Sequence, residues 1–212
     1  MSRQSESIPP SLLSVVPVMP VVVIDRLADA VPVARALVAG GLPAIELTLR
    51  TDVALDAIRA IADEVPEILV GAGTIVAPGQ AKQALDAGAQ FLVSPGSTPT
   101  LLGAMADTGL PFLPGTATVS EVLAVLEAGF TELKFFPAEA SGGAAFLRSI
   151  ASPVPAARFC PTGGITAASA PAYLDLPNVG CVGGSWLTPA DALSSGNWSH
   201  VEQLAREAAR LR

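Results

Sequence analysis

The chain contains two lysines, one histidine and two cysteines, so the residues able to carry covalent chemistry are few. Lys82 sits among Gln80, Gln83 and Asp86, the composition of a solvated helix face. Lys134 is placed differently, between Leu133 and Phe135-Phe136 in a strand-like run. With a period of two, Lys134 and Phe136 share one face of that strand, and Leu133 and Phe135 share the other. An ammonium held between apolar walls is costly unless it is paired or gives up its proton. One solution is a structural ion pair; the other is an amine nucleophile. An ordinary lysine is neutral in roughly 0.04% of molecules at pH 7, so a nucleophilic one needs surroundings that oppose its charge. Apolar walls and a nearby cation act in that direction, and Arg50 is the candidate cation. A neutral amine at a strand end is suited to forming a Schiff base with a ketone.

Scarcity also selects the proton carrier. His200 stands beside the C-terminal helical segment 201–211 and is expected at the surface, away from the strand ends. Glu46 is the one carboxylate embedded in a strand. Glu46, Thr48 and Arg50 alternate with Ile45, Leu47 and Leu49, so the three polar groups share a face. A Glu46–Lys134 ion pair without chemistry is the competing account. Cys160 and Cys181 lie in apolar runs without metal-ligand spacing and are expected to be buried, reduced thiols. With one histidine and no Cys/His/Asp cluster, no catalytic metal is expected, which favours lysine-based over metal-dependent aldol chemistry.

Such residues need a frame. Short apolar runs recur at 15–24, 44–49, 68–71, 91–93, 112–113, 133–136, 159–160 and 179–182, spaced by roughly 22 residues, room for one helix and two loops. The intervening segment 52–64 places Val53, Ala57, Ala60 and Ile61 on one stripe. Segment 120–128 opens with Ser120 as a plausible N-cap, and Pro32 suits only the first turn of a helix ending near Ala39. Gly40, Gly88, Gly109 and Gly129 each close a helical stretch just before the next run, where a left-handed C-terminus favours glycine. Alternating βα units imply a parallel sheet, and eight of them suit a closed (β/α)8 TIM barrel. An open doubly wound sheet is the alternative. It would carry a Gly-rich fingerprint after the first strand, where Val21-Val22-Val23-Ile24-Asp25 has none.

The expected organisation is an N-terminal extension, 1–14, in part helical, followed by a single barrel domain over 15–212. Half of the 212 residues are hydrophobic, enough to build a large core. A net charge of −7 without a basic cluster argues against nucleic acid and anionic membrane surfaces as partners. The apolar stretch 12–24 is interrupted by Pro17 and Pro20 and is too short to span a bilayer. No small-residue cleavage site follows it, so a cytoplasmic location is expected. In a barrel, function collects at the C-terminal strand ends. Gly163-Gly164 after the seventh strand and Gly183-Gly184-Ser185 after the eighth suit a phosphate held by backbone N–H groups.

The motifs Glu46-Leu-Thr-Leu-Arg-Thr51, Gly71-Ala-Gly-Thr74, Ser94-Pro-Gly96, Lys134-Phe-Phe-Pro-Ala-Glu139, Arg158-Phe-Cys-Pro-Thr-Gly-Gly164 and Gly183-Gly-Ser-Trp186 together resemble the 2-keto-3-deoxy-6-phosphogluconate (KDPG) aldolase family. The likeness runs from about Val15 to the C-terminus. It implies a (β/α)8 homotrimer that reversibly cleaves a phosphorylated keto acid to pyruvate and glyceraldehyde 3-phosphate, and that also cleaves 4-hydroxy-2-oxoglutarate (KHG). By this resemblance Lys134 forms the imine without any separate cofactor, and Glu46 shuttles protons through a water. Arg50 and Thr74 would hold the pyruvyl carboxylate, with Pro95 and Phe136 lining the pocket. Thr162 would meet the sugar hydroxyls, while Gly163, Gly164, Gly184 and Ser185 cradle the phosphate. Galactonate-type relatives share the lysine strand, but Ser94-Pro95-Gly96, Pro161-Thr162 and Ser185-Trp186 side with the gluconate type. The departures are the Pro-containing start and Thr116, which stands where an apolar residue is expected. Two other readings compete: a phosphosugar isomerase or decarboxylase, needing no imine, and a non-catalytic phosphometabolite-binding barrel in which Lys134 only neutralises Glu46.

Overall fold

A computed structural model describes residues 11–211, in which strands and helices alternate along the chain. The strands are β1 (Val18–Val22), β2 (Ala44–Thr48), β3 (Leu69–Gly73), β4 (Phe91–Val93), β5 (Phe112–Leu113), β6 (Gly115–Thr116), β7 (Glu132–Phe135), β8 (Arg158–Pro161) and β9 (Val182–Gly184). Between and after them lie α1 (Ala30–Ala39), α2 (Ala54–Glu64), α3 (Pro78–Asp86), α4 (Pro99–Ala106), α5 (Val119–Glu127), α6 (Gly143–Ile150), α7 (Ala170–Leu174), α8 (Ala190–Ser195) and α9 (Trp198–Ala208). No helix among the described residues is long and apolar enough to cross a membrane.

All strand pairs are parallel, as continuous apolar runs with helical crossovers require. Six strands form a sheet in the order β5-β4-β3-β2-β1-β9, and three form a second, β6-β7-β8. The strands β5 and β6 are separated only by Pro114, which has no N–H to give the ladder but offers its carbonyl to the Lys134 amide at 2.9 Å. Two isolated parallel bridges, Phe159–Val179 and Thr162–Gly183, connect β8 and its continuation with the segment entering β9.

Residue-level packing follows the strand alternation. Phe135 stacks on Phe146 of α6, ring centres 4.9 Å apart, so that its side of β7 faces a helix. Lys134 faces the other way, its Nζ lying 5.5 Å from the Phe136 ring centre. At the N-terminal end of β7, Glu132 accepts hydrogen bonds from the Ser11 hydroxyl and, at 3.1 Å, from the Leu12 amide. Leu12 and Leu13 are thereby buried in the same core as the strands.

Several boundaries differ from the sequence expectations. The run 15–24 yields a strand only over Val18–Val22, and residues 12–14 form a single 3-10 turn; the rest of the expected N-terminal extension, 1–10, lies outside the described residues. Helix α2 begins at Ala54, not near Asp52. Thr118, not Ser120, caps α5: its hydroxyl accepts the Glu121 amide while Glu121 reaches back to the Thr118 amide, a reciprocal box that a cap at Ser120 could not form. Gly40 keeps a right-handed conformation, and Gly41 (φ 90°) makes the left-handed turn; Gly88, Gly109 and Gly129 do so as expected. Gly183 and Gly184 belong to β9 rather than following it. His200 lies within α9 and is half-buried, not at an exposed helix border. Thr116 is buried, and its hydroxyl donates to the Lys134 carbonyl at 3.3 Å, which explains how a polar side chain is accommodated there.

Candidate active site

Lys134 Nζ lies 2.9 Å from Glu46 Oε1, and both side chains are buried, 5% and 1% exposed. These residues come from β7 and β2, which belong to different sheets, so the pair links the two sheets. Burying an ammonium and a carboxylate separately would be prohibitive; adjacent, each offsets much of the other's lost hydration. The bond also gives the amine a direct proton acceptor, which an isolated lysine lacks.

Glycines on the neighbouring strands provide the room. Gly71 and Gly115 sit in register with Glu46 and Lys134 respectively, but a Cβ on Gly71 would meet the Phe91 ring at 2.3 Å, so Gly71 makes room for that ring rather than for the pair. A Cβ on Gly73 would lie 2.3 Å from Glu46 Oε1 and 2.6 Å from its Cγ, so any side chain there displaces the carboxylate. A Cβ on Gly115 would meet the Pro95 backbone at 2.2 Å. This close approach, with the Gly115 amide donating to Ser94 Oγ at 3.3 Å, holds Pro95 at the rim.

Past the end of β2, Arg50 Nε donates to Thr74 Oγ1 at 3.2 Å. Arg50 follows the strand instead of lying on it: its amide turns back to the Thr48 carbonyl and its side chain is exposed. Thr48, on the same face as Glu46, is buried and donates to the Val22 carbonyl at 3.1 Å. Thr74 has φ 59°, a left-handed conformation costing a non-glycine residue about 1–3 kcal/mol. A glycine would be easier there, but only a side chain supplies the hydroxyl that Arg50 engages.

On the far side, Thr162 is buried against Gly183, where a Cβ would come within 2.1 Å of its Oγ1. Gly163 and Gly164 follow with φ 106° and 79°, a paired left-handed turn open to glycine. The Trp186 indole covers Gly184, whose Cβ would lie 2.5 Å from the ring. Ser185 is exposed and lines a cavity of about 440 Å³ with Val21, Val23, Arg26, Asp29 and Thr188. Of the candidate residues only Ser185 reaches that cavity; Lys134 and Glu46 do not line it.

The structure thus brings Lys134 and Glu46 into contact, sets Phe136 beside the amine and couples Arg50 to Thr74. Arg50, expected as a cation near Lys134, bonds the Thr74 hydroxyl, and the side chain within hydrogen-bond distance of Lys134 is the Glu46 carboxylate. Lys82 is the solvated lysine expected, paired with Asp86 at 2.9 Å on α3. Both cysteines are buried and free of disulfides. Sequence reasoning missed Gly73 as the residue that makes space for Glu46; the two-residue Gly spacing in Gly71-Ala72-Gly73, beside a strand bearing a lone carboxylate, was the available signal. Among the described residues no group of three or more His, Cys, Asp or Glu side chains is arranged to hold a metal ion.

Comparison with known proteins agrees with this layout. The fold and site define a parallel α/β protein with a buried lysine–carboxylate pair at its strand ends, and the family model for KDPG and KHG aldolase matches residues 10–204. The KHG/KDPG aldolase of Escherichia coli (strain K12) is 54% identical over 198 residues, 93% of each chain. The solved KDPG aldolase of Legionella pneumophila, with pyruvate captured at low pH as a covalent carbinolamine, superposes with a TM-score of 0.91 at 45% identity, covering 93% of this chain and 96% of that one. The Zymomonas mobilis enzyme, 2-keto-3-deoxy-6-phosphogluconate aldolase, gives 0.89 at 48% identity, covering 94% and 95%. The chain belongs to the KDPG/KHG aldolase family.

Proposed function

We propose that this chain reversibly cleaves KDPG to pyruvate and D-glyceraldehyde 3-phosphate, and cleaves KHG likewise, through an imine on Lys134. The buried 2.9 Å contact between Lys134 and Glu46 carries the reading. Glu46 takes a proton from the lysine ammonium, and the free amine attacks the C2 ketone to give a carbinolamine. Glu46 returns its proton to the departing hydroxyl, and loss of water leaves a protonated imine, an electron sink. The Glu46 carboxylate, directly or through a water, then takes the C4 hydroxyl proton as the C3–C4 bond breaks; the aldehyde departs, and the bonding electrons form an enamine. Protonation at C3 by the Glu46 carboxyl, directly or through a water, and hydrolysis of the imine return pyruvate and free lysine. No external cofactor enters these steps.

Arg50 and Thr74 hold the pyruvyl carboxylate, with Pro95 and Phe136 against the planar intermediate. Thr162 meets the sugar hydroxyls. Gly163, Gly164, Gly184 and Ser185 receive the phosphate, for which close backbone approach and unhindered N–H groups are the chemical requirement. The two sheets complete one (β/α)8 barrel over 15–212: the first strand pairs with the last, β5 and β6 read as one strand broken at Pro114, and the β8–β9 bridges span the remaining gap. The family resemblance further supports a homotrimer.

Borohydride reduction in the presence of pyruvate tests the reading. Mass spectrometry is expected to find a reduced pyruvyl adduct on Lys134 and none in Lys134→Met. An unlabelled Lys134 would leave only an ion pair, as a non-catalytic binding barrel requires.

A further inference from the structure

The turn Thr162-Gly163-Gly164 is fixed by the segment that follows β7. The Ala138 amide donates to the Thr162 carbonyl at 2.8 Å, and the Glu139 amide donates to the Gly163 carbonyl at 3.1 Å. In a planar trans peptide the next N–H points opposite to the carbonyl. Anchoring these two carbonyls therefore turns the Gly163 and Gly164 N–H groups away from 138–139. Neither donates to a protein group among the described residues.

Glu139 adds two further restraints. Its side-chain stem lies flat on Gly164, whose Cβ would come within 2.7 Å of Glu139 Cγ. Its Oε1 accepts the Tyr173 hydroxyl at 2.6 Å, and Tyr173 is buried in α7, the helix that the glycine turn leads into. The phenol remains a donor at working pH, because burial first, then the Glu139 bond and charge, push its ionisation well up. The chemistry of Glu139 is otherwise unexpected: an exposed carboxylate beside a turn read as an anion site should repel the ligand. A carboxylate in that place calls for a compensating role.

We infer that Glu139 and Tyr173 are positioning residues for the phosphate arm of the substrate, locking the Gly163–Gly164 turn with both N–H groups presented to the anion. The inference rests on the aldolase reading above. It concerns the phosphate and not the imine, so it is read from the selectivity for phosphorylated over unphosphorylated substrate, the ratio of kcat/KM for KDPG to that for KHG.

In Tyr173→Phe and Glu139→Ala this ratio should fall about fivefold to tenfold, the effect of losing one well-placed hydrogen bond, with the change appearing in KM for KDPG. Glu139→Gln retains an acceptor for the phenol and the same stem, so it should keep the ratio within about twofold of the parent. Equal losses on both substrates, or an unaltered ratio in Tyr173→Phe and Glu139→Ala, would overturn the inference. A Glu139→Gln variant as impaired as Glu139→Ala would also overturn it, because charge rather than geometry would then matter. A parent chain that shows no pyruvate adduct at Lys134 and no preference for the phosphorylated substrate would remove the aldolase reading itself; a labelled, selective parent with insensitive variants removes only this inference.

Discussion

Under the proposed mechanism, the one contact between Lys134 and Glu46 serves both stability and chemistry. The pair makes burial tolerable, and the same hydrogen bond offers a route for the proton that must leave the amine. Its geometry depends on a residue that has no functional group. A methyl at position 73 would occupy the place of the Glu46 carboxylate, 2.3 Å from Oε1, and the carboxylate would have to move. Gly73→Ala is therefore expected to lower kcat by about 100-fold, the scale on which a small misplacement of a catalytic group acts. A pyruvate-coupled cleavage assay measures this, and a rate near that of the parent would show that Glu46 has freedom to adjust. Thr74 follows the opposite logic, since its strained backbone is the cost of keeping a hydroxyl beside Arg50.

Individual elements carry their own local determinants. Helix α5 begins with the Thr118/Glu121 box, in which the Glu121 carboxylate accepts the Ala117 and Thr118 amides at 2.7 and 2.9 Å. Thr118→Ala should destabilise the protein by about 1 kcal/mol in denaturant titrations while leaving the site residues in place. The Ala117 amide above all, against a smaller opposing effect of burial, holds Glu121 below the ordinary carboxylate range. A carboxyl depressed in the folded state stabilises above its unfolded value and loses that contribution as pH falls through the folded one. The stability gap between the parent and Glu121→Gln should accordingly be present at pH 7 and close as pH drops below about 4.3. A gap that persists at pH 3 would assign the effect to packing instead. The cap itself shows a limit of local reading: Ser120 and Thr118 are both plausible caps by type, and the glutamate three residues after Thr118 decides between them.

Across the whole molecule, the aromatic layer between the strands and α6 ties the lysine strand to its surroundings. Phe159 is fully buried and meets Phe135 edge-on at 6.4 Å. Phe159→Ala should cost about 3–5 kcal/mol, lowering the thermal midpoint by roughly 6–20 °C for a chain of this size. Calorimetry measures the shift, and a change of only a degree or two would mean that the core closes over the gap. Much of this architecture is legible in the amino-acid order, because strand spacing, alternating faces and left-handed glycines are local consequences of backbone geometry. The division of Lys134 and Phe136 from Leu133 and Phe135 is fixed by a period of two, whatever lies across the interior. The scarcity of lysine and histidine likewise pointed to Lys134 and Glu46 before any contact was known, although Glu132 proves to be a second carboxylate on a strand, tied to Ser11 and Leu12. Only the tertiary structure decided that Lys134 meets Glu46 directly, that Gly73 clears space for Glu46, and that Glu139 reaches Tyr173. Each of these depends on distances between strands or helices distant in the chain, and local backbone preferences do not encode such distances; packing of the whole core sets them.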